Sequence, residues 1–261
     1  MDIVAYIVAG AVVGFAVGMT GVGGGSLMTP ILLLFGFPPH VAVGTDLLYA
    51  SITKSGGVLV HRRQGTVNWR VVFQLAAGSI PASLVTVYFL DRFFSDGSAY
   101  SHLLTTTLGV MLILTSIVLL FRRKIIARSS HHESRGVLAH LQQHPAPYTF
   151  SMGVLLGIMV TLSSVGAGAF GSAVLLLLYP RFASIKVVGT DLAHAVPLTL
   201  VAGLGHLLLG NVDFYLLGSL LIGSLPAIYL GTRLAARLPE KVLQPLLASA
   251  LLCMGLKYAF F

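Results

Sequence analysis

Two stretches of bare backbone are the first features able to do chemistry. They are Thr20-Gly21-Val22-Gly23-Gly24-Gly25-Ser26 and, 145 residues on, Val165-Gly166-Ala167-Gly168. Each is trailed by the same tetrapeptide, Val43-Gly44-Thr45-Asp46 and Val188-Gly189-Thr190-Asp191. A helix that starts after such a break aims free N–H groups and its positive dipole end at whatever lies beyond. Glycine lets a ligand come close to that backbone, so the combination makes a seat for an anion or a carboxylate. A glycine kink made for tight packing is the competing reading. On the seat reading, Thr20, Gly21, Gly23, Gly24, Gly25, Ser26 and Thr45 of the first half are candidate substrate contacts. Ser163, Ser164, Gly166, Gly168 and Thr190 of the second half join them.

Lys54 is the next candidate, because it lies well inside an apolar run and among small residues, Ser51-Ile52-Thr53-Lys54-Ser55-Gly56-Gly57. A cation there costs about 3 kcal/mol to insert and is usually functional, and beside an anion seat it suits an anionic substrate. Snorkelling of its stem toward the headgroups near Arg62 is the alternative. Its counterpart in the repeat is Thr199, so any charge it brings is asymmetric. Asp46 and Asp191 admit three roles: capping the first turn of their own spans, pairing with Lys54, or taking up a coupling proton. His194, deep in its span, is a further proton-coupling candidate, whereas His61 and His206 lie at span ends and read as interfacial. His131, His132, His140 and His144 fall in a polar connector. No Cys or carboxylate set completes a tetrahedral site around them, so neither a metal nor any other cofactor is expected. The single cysteine, Cys253, sits in an apolar run and implies no disulfide framework.

Positioning such groups requires a membrane. Of the 261 residues 56% are apolar and 9% charged, with a mean hydropathy of +0.91, against a charged fraction of about 25% in soluble domains. The excess of cations, 16 Lys and Arg over 8 Asp and Glu, lies in the gaps between apolar runs, which fits a cytoplasmic-loop bias and no nucleic-acid partner. The opening residues lack a basic region and a small-residue cleavage pattern, so a removed signal peptide is not expected.

The gap-free match of 21–92 with 166–237 also pairs His61 with His206, Gly65 with Gly210, Gly78-Ser79 with Gly223-Ser224 and Pro81-Ala82 with Pro226-Ala227. The fold class that follows is all-α, a polytopic membrane protein with a duplicated unit. Residues 1–121 form the first membrane repeat, 122–148 a cytoplasmic linker and 149–261 the second repeat. Each repeat reads as one interrupted element, either a hairpin or two short spans, followed by three transmembrane helices. The first repeat has spans at 41–60, 71–90 and 103–121. The second has a break over 163–171, a short helix over 172–179 and spans at 185–207, 214–233 and 242–260. Gly10, Gly14 and Gly18 form a small-residue ridge for close helix packing. An odd number of crossings per unit makes the second copy inverted. With the Arg62-Arg63 loop inside, inversion leaves only Arg92 and Lys257 outside and puts both termini on the outer side.

The sequence resembles the sulfite exporter TauE/SafE family, a set of bacterial inner-membrane transporters grouped with the toluene sulfonate uptake permeases. The resemblance is carried by Gly18-Met19-Thr20-Gly21-Val22-Gly23-Gly24-Gly25-Ser26-Leu27-Met28-Thr29-Pro30, Ala42 to Asp46 and Val187 to Asp191, and spans essentially the whole chain. It implies a secondary transporter in the cell inner membrane that moves sulfite, sulfonates or related small anions, the alternative being an anion channel or pore built on opposed half-helices. Its partners would be a small anionic substrate, the lipid bilayer and a coupling proton, with a homodimer compatible. An enzyme is not expected, since no His-Glu-x-x-His motif occurs and Ser26 lacks the Gly-x-Ser-x-Gly context of a hydrolase. The glycine run follows an apolar helix with no βαβ unit around it, so it is no dinucleotide fingerprint.

Overall fold

Proline and glycine set many of the helix ends in the computed structural model, which describes residues 3–20, 25–93, 97–130, 137–235 and 240–260. The first half contains α1 (Ile3–Thr20), the short α2 (Gly25–Leu34), α3 (Pro39–Arg63), α4 (Trp69–Phe93) and α5 (Gly97–Ser130). After α6 (Val137–Gln143), the second half contains α7 (Pro145–Ser163), the short α8 (Ala169–Leu178), α9 (Ser184–Leu208), α10 (Phe214–Ala235) and α11 (Glu240–Phe260). No strand occurs among the described residues. The protein is thus all-α and polytopic. Trp69–Phe93, Ala99–Phe121, Pro145–Ser163, Ser184–Leu208 and Phe214–Arg233 are long and apolar enough to cross a membrane. α3 is as long as α4 and α9 at 25 residues, roughly 37 Å, but carries Asp46, Lys54, Arg62 and Arg63. Side chains such as Phe73, Tyr88 and Tyr229 stand exposed on the outer faces, as lipid requires of a spanning bundle.

Several boundaries differ from the sequence reading. α5 runs on to Ser130 and α7 begins at Pro145, so both ends of the expected linker are helical and α6 occupies part of its middle. Gln142 of α6 donates to the Leu177 carbonyl of α8 at 2.9 Å, tying the connector to the second repeat. α8 begins at Ala169, earlier than the expected 172, which shortens the break.

The duplication recurs in the packing. Gly10, Gly14 and Gly18 of α1 meet the backbone at Leu220, Ser224 and Ile228 of α10, so these two helices run parallel. Gly153 and Gly157 of α7 meet Leu75 and Ser79 of α4 in the same way. Each half therefore lends its first helix to the other half. The equivalent helices α3 and α9 cross antiparallel: Gly44 meets His206, Ser51 donates to the Val196 carbonyl and Gly57 meets Leu192. α5 and α11 are antiparallel too, with Ser116 donating to the Ala248 carbonyl and Gly109 against Ala259. Both α3 and α9 end on the same glycine cap. Gly65 (φ 67°) and Gly210 (φ 75°) take the left-handed turn. Thr66 N–H then donates to the His61 carbonyl, and Asn211 N–H to that of His206.

Candidate functional site

Where α7 ends, the chain turns through a conformation that side chains disfavour. Ser164 is left-handed (φ 59°), and Gly166 (φ 126°) and Gly168 (φ 140°) lie where only glycine is comfortable, so the backbone can enter α8 within a few residues. Gly171 N–H donates to Gly166 O and Ser172 N–H to Gly168 O, each at 3.0 Å, which fixes the start of α8. Ser163 stays local, its hydroxyl donating to Met159 O at 2.6 Å and accepting from Val165 N–H at 3.2 Å. The Ser164 hydroxyl is buried beside Asp46.

Lys54 comes to this break from α3 of the other half. It is 4% exposed, and its Nζ donates to Ala167 O at 3.3 Å. It does not snorkel: the ammonium is buried against the break and feels the charges of Asp191 and Asp46. Neither aspartate caps its own helix, because α3 starts at Pro39 and α9 at Ser184, which puts both carboxylates about two turns in. They serve the short helices instead. Asp46 Oδ2 accepts from the Thr29 N–H of α2 at 3.2 Å and from the Thr29 hydroxyl. The Asp191 carboxylate lies against Gly171 and within reach of the Gly168 amide, at the N-terminal end of α8. A Cβ at Gly171 would collide with Asp191 Oδ1, so glycine there makes room for the carboxylate.

Around these charges, buried polar atoms are left over. Asp46 Oδ1, Asp191 Oδ1, Ser164 Oγ and His194 Nδ1 have no hydrogen-bond partner among the described residues, which is costly in an interior where such groups are normally satisfied. His194 Nε2 is paired with Ser79 Oγ at 2.8 Å. With Lys54 and both aspartates ionised the cluster carries one net negative charge. Both carboxylates are buried: Asp46 is 0% exposed and Asp191 3%.

Other expected contacts are placed differently. Thr45 Oγ1 accepts from Asp213 N–H at 3.1 Å and Thr190 Oγ1 from Asn68 N–H at 2.9 Å, matching bonds that seat the starts of α10 and α4 rather than a ligand. His206 is fully buried, not interfacial, and pairs with Thr161 O at 2.9 Å. Gly21, Gly23 and Gly24 lie outside the described residues, as do the side chains of Thr20, Gly25 and Ser26, so the first seat is seen only through Thr29 and Asp46. His131 and His132 also lie outside; His140 and His144 meet edge to face at 5.6 Å. The sequence reading missed Thr29, Ser79, Ala167 and Gly171. Of these Ser79 left a trace in its match with Ser224, and Ala167 and Gly171 in lying within the expected break over 163–171.

Away from the cluster, a cavity of about 570 Å³ opens where α4 and α7 begin and α8 ends, with Arg70, Gln74, His144 and Tyr179 among an otherwise largely apolar lining.

Residues 6–258 match the family profile described as Sulfite exporter TauE/SafE. The chain is 38% identical to the "Probable membrane transporter protein YjnA" of Bacillus subtilis (strain 168), covering 97% of this chain and 98% of that one. It is 43% identical to the "Probable membrane transporter protein YunE" of the same organism, covering 82% and 81%. The "Probable membrane transporter protein MJ0441" of Methanocaldococcus jannaschii is 27% identical over 80% of this chain and 74% of its own. No solved structure matches the chain.

Proposed function

The chain belongs to the sulfite exporter TauE/SafE family, a membrane transporter family, and we propose that it is a secondary transporter of small sulfur-containing or organic anions working by alternating access. The observation that carries this reading is the cross-repeat contact of Lys54 with Ala167 O. A buried cation from one half meets the broken backbone of the other, beside unsatisfied Ser164 and His194 atoms. Substrate would bind there, between the halves, and the burial of Lys54 and both carboxylates favours a carrier over an open anion pore.

We place the two repeats in opposite orientations across a bacterial inner membrane, with the termini outside and the polar connector in the cytoplasm. The antiparallel crossing of α3 with α9 and of α5 with α11 supports that orientation, as does the clustering of cations. On it, the cavity at Arg70 and His144 is the inner mouth, and its cation suits an arriving anion.

The test is binding of sulfite, sulfoacetate, taurine and lactate to the purified protein, followed by uptake in proteoliposomes. At least one anion should bind and give saturable flux. Lys54→Gln should weaken binding by about tenfold or more, since a charge-assisted hydrogen bond is worth about 1.5–3 kcal/mol. Flux that never saturates would favour a pore. Unchanged affinity in Lys54→Gln would take Lys54 out of the site.

A further inference from the structure

Asp191 fills the positive end of α8, beside Gly168 and Gly171, and Asp46 accepts from the Thr29 amide one turn into α2. Both carboxylates thus take up backbone amides that an anion could use. We propose that Asp46 and Asp191 are tethered stand-ins for the transported anion, and that substrate takes the place of a carboxylate only as that carboxylate takes up a proton. This rests on the transporter reading above and assigns its coupling: anion and proton move together.

Charge balance carries the step. Lys54, Asp46 and Asp191 sum to −1 when ionised, and a monoanion entering unaccompanied would raise this to −2 in a site shut off from water. Like charges a few ångströms apart cannot be sustained in such surroundings. One proton, drawn from the water on the side to which the site opens, converts one carboxylate to a carboxylic acid and restores the sum to −1. A dianion needs both. Each acid then has an O–H to donate and no longer competes for the helix amides, and Lys54 is freed from one partner to meet the substrate. The unpartnered Oδ1 atoms of both aspartates are where those protons would reside.

Few other groups could supply the charge. Asp46 faces Thr29 of α2, Ser164 of the break, and Lys54 and Tyr49 of its own helix. Asp191 faces Lys54 and the start of α8. His194, one turn along α9, sits on Ser79 of α4 and senses Lys54. α2, α7, α8 and the stretch of α5 from Ala99 to Phe121 contain no Asp, Glu, Lys or Arg. On α4, Arg70, Asp91 and Arg92 are exposed, and on α10 Asp213 and Arg233 lie at or beside its ends.

The experiment is calorimetric titration of the purified full chain with methanesulfonate, which stays a monoanion, in buffers of different ionisation enthalpy and from about pH 5 to about pH 8. Sulfoacetate serves as a second probe. Binding should be accompanied by uptake of about one proton per methanesulfonate. Affinity should rise by about tenfold for each unit of falling pH wherever the carboxylates are charged. Asp191→Asn and Asp46→Asn, separately and together, should bind with a flatter pH profile and less proton uptake, the double variant with none. Binding to the wild-type protein with heats independent of buffer and affinity independent of pH would overturn the proposal and leave the transporter reading intact. Absence of binding by either probe at every pH would overturn the proposal, and the four-anion panel above then decides the transporter reading. The wild-type measurement decides even if the asparagine variants do not fold.

Discussion

Replacing Lys54 by methionine keeps the length of the side chain and deletes its charge and its donor, so it isolates what the ammonium contributes to the folded state. The structure sets the scale. Lys54 donates to Ala167 O at 3.3 Å and feels the charges of two buried carboxylates, and removing one member of a buried charge cluster costs about 3–5 kcal/mol, because the remaining charge is left uncompensated. For a chain of this size that corresponds to a fall in Tm on the order of 10 °C, read by far-ultraviolet circular dichroism in detergent. Asp191→Asn should itself destabilise, since it gives up the contact at the start of α8. In the Lys54→Met background, however, it removes one of the uncompensated charges, so the double variant should be more stable than the sum of the single effects by about 1–3 kcal/mol. Additivity to within about 0.5 kcal/mol, or a Lys54→Met variant as stable as the parent, would show that ammonium and carboxylate are not coupled and would undo the charge-balance reasoning above.

Two further outcomes follow from the packing. Gly157→Ala should loosen α7 from α4, because the added carbon meets the backbone of Ser79, at a cost of about 1–3 kcal/mol. Gly218→Ala, which has open space beside it, should stabilise α10 by roughly 0.5–1 kcal/mol. Thermal unfolding of the pair separates the two signs. In a Cys253→Ser background, Arg63→Cys and Leu208→Cys occupy equivalent exposed positions in the two repeats. Inverted halves predict that an impermeant thiol reagent applied to right-side-out vesicles modifies only the second, and modification of both from one side would mean parallel halves.

Much of the packing frame was legible because it repeats. The pairs Gly78 with Gly223 and Ser79 with Ser224 are the positions where α4 meets α7 and α10 meets α1. A match in sequence thus became a match in contact. Helix boundaries were less legible, because hydropathy marks where lipid ends and not where a helix does. Arg122 to Ser130 reads as a polar linker, yet Arg, Lys and Ala are good helix formers and α5 continues through them. The expected span starts at 41, but α3 begins at Pro39, because proline is at home in the first turn of a helix, where no N–H is needed. Starting the span after it shortened α3 and made Asp46 look like a cap.

The site was only half legible, for a related reason. Types and spacings pointed to Lys54, Asp46, Asp191 and the breaks, whereas their partners are set by tertiary approach: Lys54 finds Ala167 113 residues away and Asp46 finds Thr29 in another helix. Of the residues that match between the repeats, Thr45 and Thr190 seat the starts of α10 and α4, Gly65 and Gly210 turn the chain out of α3 and α9, and Asp46 and Asp191 supply the two carboxylates of the centre. Those that differ, Lys54 against Thr199 and His194 against Tyr49, lie in the buried centre. Duplicated packing can be symmetric because it has only to hold. A site that balances one cation against two carboxylates and a visiting anion has to be unequal, and the repeat broke its own pattern at Lys54, the one place where a charge had to be added.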